Sequence, residues 1–289
     1  MKLLIQPEDG IAPLVDAIKK AKKSIDIVIF RFNRRDIGKA LQAAVNRGVK
    51  VHALIAHTNQ GGAGRLRNLE LRLLGAGATV DRTGDDLMRY HGKFMIVDRA
   101  TLFVLGFNFT QLDMDKSRSF AVVTKHRKSV QAAIRLFEAD CGRHPYVGDK
   151  ALVVSPENAR TELSAFVAKA RKQLLIYDPK ISDLRMIAIL KERMKAGVDV
   201  RILGKVSGRG DELVHEKFAG RRLHVRAIIR DGQRAFVGSQ SLRKFELDKR
   251  REVGVFVKDA KAVRSLLDTF ESDWDDTKPG KRKPDRVRL

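Results

Sequence analysis

The chain carries two copies of one pattern, and this duplication constrains its fold more than any other feature. Ala21-Lys22-Lys23-Ser24-Ile25-Asp26-Ile27 returns as Ala170-Arg171-Lys172-Gln173-Leu174-Leu175-Ile176, an offset of 149 residues (170 against 21). Arg47-Gly48-Val49-Lys50-Val51 returns at the same offset as Ala196-Gly197-Val198-Asp199-Val200. In both copies a stretch of helical period runs into the glycine, which suits a helix C-terminus followed by a strand. Further on the spacing shortens. Phe137-Glu138-Ala139-Asp140-Cys141 matches Phe270-Glu271-Ser272-Asp273-Trp274 at an offset of 133 (270 against 137). The first copy therefore holds about sixteen extra residues, and Thr58 to Val80 is the candidate. Within it, Arg65–Leu74 has helical spacing and stops at Gly75.

Alternating strand and helix signals in two copies predict an α/β protein. The expectation is two duplicated α/β/α sandwich domains with mixed sheets, related by a pseudo-twofold axis. The boundaries read as 1–145 and 146–277, joined through Gly142 to Lys150, where His144-Pro145 and Gly148 break regular structure. Residues 278–289 hold six cations, one acid and two prolines, and read as a disordered basic tail. With 43% hydrophobic residues among 289, the remainder has enough apolar surface for two cores.

Charge speaks to partners. Residues 1–149 carry 25 Lys/Arg against 15 Asp/Glu, and residues 150–289 carry 33 against 20, giving +23 overall. Both halves would attract a polyanion, either nucleic acid or an anionic membrane, with an affinity that weakens in salt. A single cysteine, Cys141, excludes an intramolecular disulfide framework and any zinc site built from several thiolates. At the Trp274-equivalent position it reads as a small buried hydrophobe. No apolar run reaches the ~20 residues of a membrane span, and the first residues lack the apolar core of a secretory signal. The expected location is the cytoplasm, free or peripheral at the inner membrane surface.

Under the 133 offset, His91-Gly92-Lys93-Phe94-Met95-Ile96-Val97-Asp98 falls on His224-Val225-Arg226-Ala227-Ile228-Ile229-Arg230-Asp231. Each copy has a histidine, a cation two residues on, and an aspartate five residues after that. On a strand, positions two apart share a face, so histidine and cation would meet one bound group. Gly106-Phe107-Asn108-Phe109-Thr110 and Gly238-Ser239-Gln240-Ser241 follow as glycine-containing turns with polar donors suited to an oxyanion. His215-Glu216-Lys217 imitates the motif, but five residues past its cation stands Arg222, and its −133 counterpart is Arg82. It reads as a surface or loop histidine. Thr58–Gly64 lacks the Gly-Lys-Ser/Thr ending of a P-loop, and reads as a flexible lead-in to the inserted helix.

With these residues the chain resembles the phospholipase D superfamily, whose signature is His-x-Lys-x4-Asp followed by a Gly-Ser or Gly-x-Asn turn, over nearly its whole length. The resemblance implies a phosphodiesterase in which one histidine attacks phosphorus and the other protonates the leaving alcohol. Water or a second alcohol then displaces the phosphohistidine. It implies no cofactor and no metal, with Lys93 and Arg226 holding the non-bridging oxygens. Asn108, Ser239 and Ser241 would bind the phosphate beside them, and Asp98 and Asp231 would support the motifs as structural ion-pair partners. The family's acid after the turn falls on Glu252, whereas its −133 counterpart is Ser119. In the family such carboxylates cross to the opposite half. Glu252 would then orient His91, and His224 would lose its carboxylate, which makes His91 the nucleophile and His224 the general acid. Arg226 and Ser241 depart from the family's Lys and Asn, and Arg presents a wider, planar fork.

The resemblance favours a phospholipid substrate, hydrolysed or passed to another alcohol by phosphatidyl transfer. A nuclease of the same superfamily is the first alternative. A degenerate protein that binds phosphate ligands without turnover is the second. Both histidines lie on one chain, so an oligomer is not required for the site.

Overall fold

A computed structural model describes residues 1–57, 63–218 and 220–277. Most of the glycine-rich lead-in after His57, and the basic tail from Lys278 onwards, lie outside the described residues. The first half opens with β1 (Lys2–Gln6), α1 (Ala12–Lys20), β2 (Ser24–Val28), α2 (Arg35–Asn46), β3 (Lys50–Ile55), α3 (Ala63–Gly75) and β4 (Thr79–Arg82). It continues through β5 (Arg89–Tyr90), β6 (Phe94–Val97), β7 (Thr101–Leu105), α4 (Gln111–Asp115), β8 (Ser117–Thr124) and α5 (Arg127–Gly142). Residues 144–149 carry no regular structure. The second half runs β9 (Val153–Ser155), α6 (Ala159–Ala168), β10 (Gln173–Ile181), α7 (Leu184–Lys195), β11 (Asp199–Val206) and β12 (Val214–Glu216). It closes with β13 (Arg222–Leu223), β14 (Arg226–Arg230), β15 (Arg234–Gly238), α8 (Lys244–Asp248), β16 (Arg250–Val257) and α9 (Ala260–Asp275). The inserted helix is α3, one or two residues longer at each end than its periodicity predicts.

Each half builds one mixed sheet, ordered β1-β8-β7-β6-β2-β3-β4 in the first and β12-β11-β10-β14-β15-β16-β5 in the second. The crossovers through α2 and α7 need a sharp stop after each helix. Gly48 and Gly197 provide it at φ +84° and +83°, a left-handed conformation that a side chain would strain. The next amides, of Val49 and Val198, reach back to the carbonyls of Ala44 and Arg193, which completes the cap. Strand residues then alternate between faces. In β2, Ile25 and Ile27 pack outward beneath α1 and α2, while Val28 faces inward. The inner faces of both sheets share a single core with α5 and α9, including Phe94, Phe120, Phe137, Tyr177, Val237 and Phe270. The expected sandwiches are present, and their inner layers merge.

Two exchanges lock the halves together. The two-residue strand β5 leaves the first half to pair with β16, and β13 leaves the second to pair with β8. Buried ion pairs cross the same boundary. Arg118 of β8 donates Nε and Nη2 to Asp273 of α9 at 2.7 and 2.8 Å. Arg251 of β16 reaches Asp140 of α5 at 3.1 Å. Such pairs do little for net stability, since desolvation offsets attraction, but they fix how two apolar faces register. Asp273 and Asp140 are the acids of the repeated Phe-x-x-Asp segments.

Two local expectations change and a third holds in part. β6 begins at Phe94, so His91, Gly92 and Lys93 precede the strand instead of sharing one of its faces. His215 lies on β12, an edge strand, with Nδ1 against the Leu213 carbonyl at 3.0 Å. Cys141 is half-buried: it packs against the inner core as a small hydrophobe, but its sulfur also lies beside Asp81 and His52.

Candidate active site

The strand exchange places the histidines. Pairing of Arg89 and Tyr90 with β16 leads straight into amides of His91 and Gly92 that both donate to the Arg251 carbonyl at 2.8 Å. His224 follows β13 in the same way and donates its amide to Arg118 of the first half. Each catalytic-motif histidine is therefore anchored on the opposite half's last strand. β16 carries the next residue, Glu252, fully buried, to 3.0 Å from His91 Nδ1 through both carboxylate oxygens. That contact places the proton on Nδ1 and leaves Nε2 as the acceptor, facing Lys93.

Lys93 is 1% exposed, and its Nζ donates to the His91 carbonyl at 2.7 Å and lies 3.2 Å from His91 Nε2. Burial pushes the ammonium down to about 7, against the pull of Glu252. Burial and the cations Lys93, Arg89 and Arg226 hold His91 well below its ordinary value, so the imidazole is neutral. Burial raises Glu252, while Lys93, Ser239 and Arg226 oppose that rise. Arg226 depresses His91 and Lys93 depresses His224, so the two halves' groups share one electrostatic site. Phe30 meets the His91 ring edge-on at 5.3 Å, and Arg89 lies over the Phe30 ring.

The second histidine differs from expectation. His224 does not lack a carboxylate: Asp113 of the first half stands 3.7 Å from its Nδ1. This is beyond hydrogen-bond reach, and Nδ1 of His224 is buried without a hydrogen-bond partner among the described residues. Asp113 accepts from the Asn108 backbone and side-chain amides at 3.0 and 2.8 Å, and from Arg222 at 2.6 Å. Burial opposes ionisation of Asp113, but His224, Asn108 and Arg222 bring it down to about 2. Ser119, where the family's acid is missing, instead donates its hydroxyl to the His224 carbonyl at 2.6 Å.

The expected phosphate ligands divide into two groups. Lys93 and Arg226 face the shared site, with Arg226 Nε donating to Ser241 Oγ at 3.0 Å. Asn108 and Ser239 are engaged in the scaffold. Asn108 Oδ1 accepts from the Arg31 amide and its Nδ2 from above serves Asp113, while the Ser239 hydroxyl bonds the Val253 backbone. Asp98 and Asp231 do support the motifs, chiefly through backbone amides; Asp231 also keeps a long ion pair with Arg230 at 3.9 Å, as expected of a structural ion-pair partner. Asp98 accepts from Lys22, Lys23 and Ser24, and Asp231 from Arg171, Lys172 and Gln173. Asp113 and its counterpart Glu246 stand 133 residues apart, and Glu246 accepts the Ser241 amide as Asp113 accepts that of Asn108. Applying the repeat offset to the carboxylates would have revealed this pair.

Two interlocked halves, each delivering a histidine and a cation to a common buried site, define a phospholipase D-like protein. The chain belongs to the family described as cardiolipin synthase, PLD-like domain, whose model matches residues 14–141 and 163–274. The family is one of phospholipid-related phosphodiesterases and transferases. Mitochondrial cardiolipin hydrolase of Mus musculus is 25% identical over 131 residues, 45% of this chain and 58% of that protein. The Homo sapiens protein of the same name is 26% identical over 45% of this chain and 50% of its own. The matched stretch spans about half the length of these curated relatives. Phosphatidylserine synthase of Haemophilus influenzae shares the fold over 96% of this chain and 86% of its own, with TM-score 0.70 and 10% identity. Polyphosphate kinase from Porphyromonas gingivalis covers 94% of this chain and 50% of its own, with TM-score 0.75 and 19% identity. Among the described residues no helix is long and apolar enough to cross a membrane.

Proposed function

We propose that the protein cleaves or transfers phospholipid phosphodiesters through a phosphohistidine on His91. One observation carries the reading: a fully buried carboxylate from the second half, Glu252, orients the first half's histidine while Lys93 stands beside its other ring nitrogen. A neutral imidazole suits attack on an anionic diester. His91 Nε2 donates its lone pair to phosphorus, and the bond from phosphorus to the leaving oxygen breaks as His224 gives that oxygen a proton. The bound diester's charge offsets Lys93, Arg226 and Arg222 around His224, so the imidazole takes up its proton as substrate arrives. Lys93 and Arg226 hold the non-bridging oxygens, where charge grows in the transition state. His224 then takes a proton from water or another alcohol, whose oxygen forms the new phosphorus bond as the bond to His91 breaks. The reaction needs no metal at this site, because two fixed cations supply the charge.

The lipid assignment rests on the family and on the curated relatives, named for cardiolipin hydrolysis. Its test is product analysis on phosphatidylcholine, phosphatidylglycerol and cardiolipin vesicles, with EDTA, with and without glycerol, beside plasmid DNA. Release of phosphatidic acid, or formation of phosphatidylglycerol when glycerol is added, is expected. Plasmid cleavage without lipid turnover would replace the lipid with a nucleic acid. Binding of lipid without turnover of either substrate would sink the catalytic reading.

A further inference from the structure

The duplication breaks at one corner of the first sheet, away from the histidine site. His52 of β3, Asp81 of β4 and Cys141 near the end of α5 bring a ring nitrogen, a carboxylate oxygen and a sulfur within 4.8 Å of one another. His52 Nε2 and Asp81 Oδ2 are 2.7 Å apart. The second half shows what the fold builds there by default. His52 corresponds to Arg201 and Cys141 to Trp274 by the repeat offsets. The sheet register equates Asp81 with Glu216, since Leu54 pairs with Asp81 as Leu203 pairs with Glu216. In that half Arg201 lies 5.6 Å above the Trp274 ring and bonds Glu271, a stacked cation held by an acid. The first half replaces the stacked pair with imidazole and thiol.

A second observation points into the same corner. Asp26 of β2 pairs in register with His52, where the second half has the fully buried Leu175. Asp26 is 8% exposed and takes no hydrogen bond or ion pair among the described residues. It lines one open cavity of about 600 Å³ with His52, Lys50, Thr79 and Arg99. A carboxylate without a hydrogen-bond partner in place of a leucine is costly unless something charged meets it. Arg99, a cation that lines the cavity, is already paired with Glu138.

We propose that His52, Asp81 and Cys141 hold a zinc ion, with Asp26 facing it through a bridging water. The mixed nitrogen, oxygen and sulfur set is one that zinc accepts, whereas magnesium and calcium take oxygen ligands and leave thiolates alone. The ion would be structural. It ties the last turn of α5 to β3 and β4, beside Asp140, the acid that grips Arg251 of the other half, and just before the connector between halves. Metal binding at such a clip adds directly to folding stability.

The test uses the full chain, stripped with EDTA, reloaded with zinc or cobalt, and desalted. A single retained equivalent of zinc is expected, together with a thiolate-to-cobalt charge-transfer band in the cobalt form. Cys141→Ser should abolish that band and weaken zinc binding by about tenfold or more. Asp26→Leu, which installs the second half's own residue, should fold and also bind zinc more weakly. Zinc should raise the melting temperature of the wild type and leave that of Cys141→Ser unchanged. Absence of retained metal, a cobalt spectrum without the thiolate band, or zinc affinity indifferent to both substitutions would overturn the site.

Discussion

Glu252 places its carboxylate 3.0 Å from Nδ1 of His91, a residue 161 positions earlier in the chain. The contact crosses between halves because β16 delivers both the carbonyl that holds the His91 amide and the carboxylate that holds its ring. No comparable grip exists on His224, whose acid, Asp113, stands at 3.7 Å. That asymmetry ranks the two histidines.

Trapping with a phosphodiester substrate and mapping the modified residue should place the phosphoryl group on His91. Glu252→Gln keeps the shape but loses the charge that sets the tautomer, and should lower kcat by about 10²–10⁴-fold, the range for misplacing an acid–base group. Label on His224 would reverse the assigned roles.

Burial, with Arg226, Lys93 and Arg222, holds His224 well below its ordinary value, and Asp113 opposes that fall. A general acid works only while protonated, so activity falls as pH rises through its value. Asp113→Asn removes the supporting charge and should move that descending limb to lower pH, with a smaller loss at acidic pH. A limb that does not move would remove Asp113 from the mechanism.

Lys93 supplies a second pH dependence. Burial brings it down to about 7 from 10.5, and only the charged amine can hold a non-bridging oxygen. For the free enzyme, loss of that charge should steepen above about pH 7 the decline of kcat/KM that His224 begins at lower pH. His91 stays neutral well below its ordinary 6.5, so the acid limb should lie lower still. Lys93→Arg, charged throughout, should slow the reaction yet remove that steepening. Steepening that persists would show that Lys93 does not cause it.

Removal of one partner from the crossed ion pairs should be expensive. Asp273→Leu leaves the buried Arg118 with only the exposed Glu8 as a charge partner and removes the acceptor of the Tyr177 hydroxyl. A loss of about 3–5 kcal/mol in urea unfolding is expected. Adding Arg118→Met should recover part of it, since both charges are then gone. A loss below about 1 kcal/mol would mean that the pair is solvated.

The amino-acid sequence by itself determined the duplication, the extra helix of the first half and the paired histidine motifs; Glu252 as the acid for His91 is what the family resemblance implied. The first three are readable because repeat offsets and helical or strand periods are properties of residue order. Tertiary structure alone decided three other things. Asp113 serves His224 only because α4 folds against the other half's β13, a contact between residues 111 positions apart. His91 and Lys93 converge without sharing a strand, since β5 is drawn onto β16 before β6 begins. The His52, Asp81 and Cys141 corner gathers donors from two strands and a helix, with no spacing that a linear motif could display. Side-chain contacts across halves depend on how two sheets and two inner helices pack. Residue order records that packing only where both copies keep the same residue.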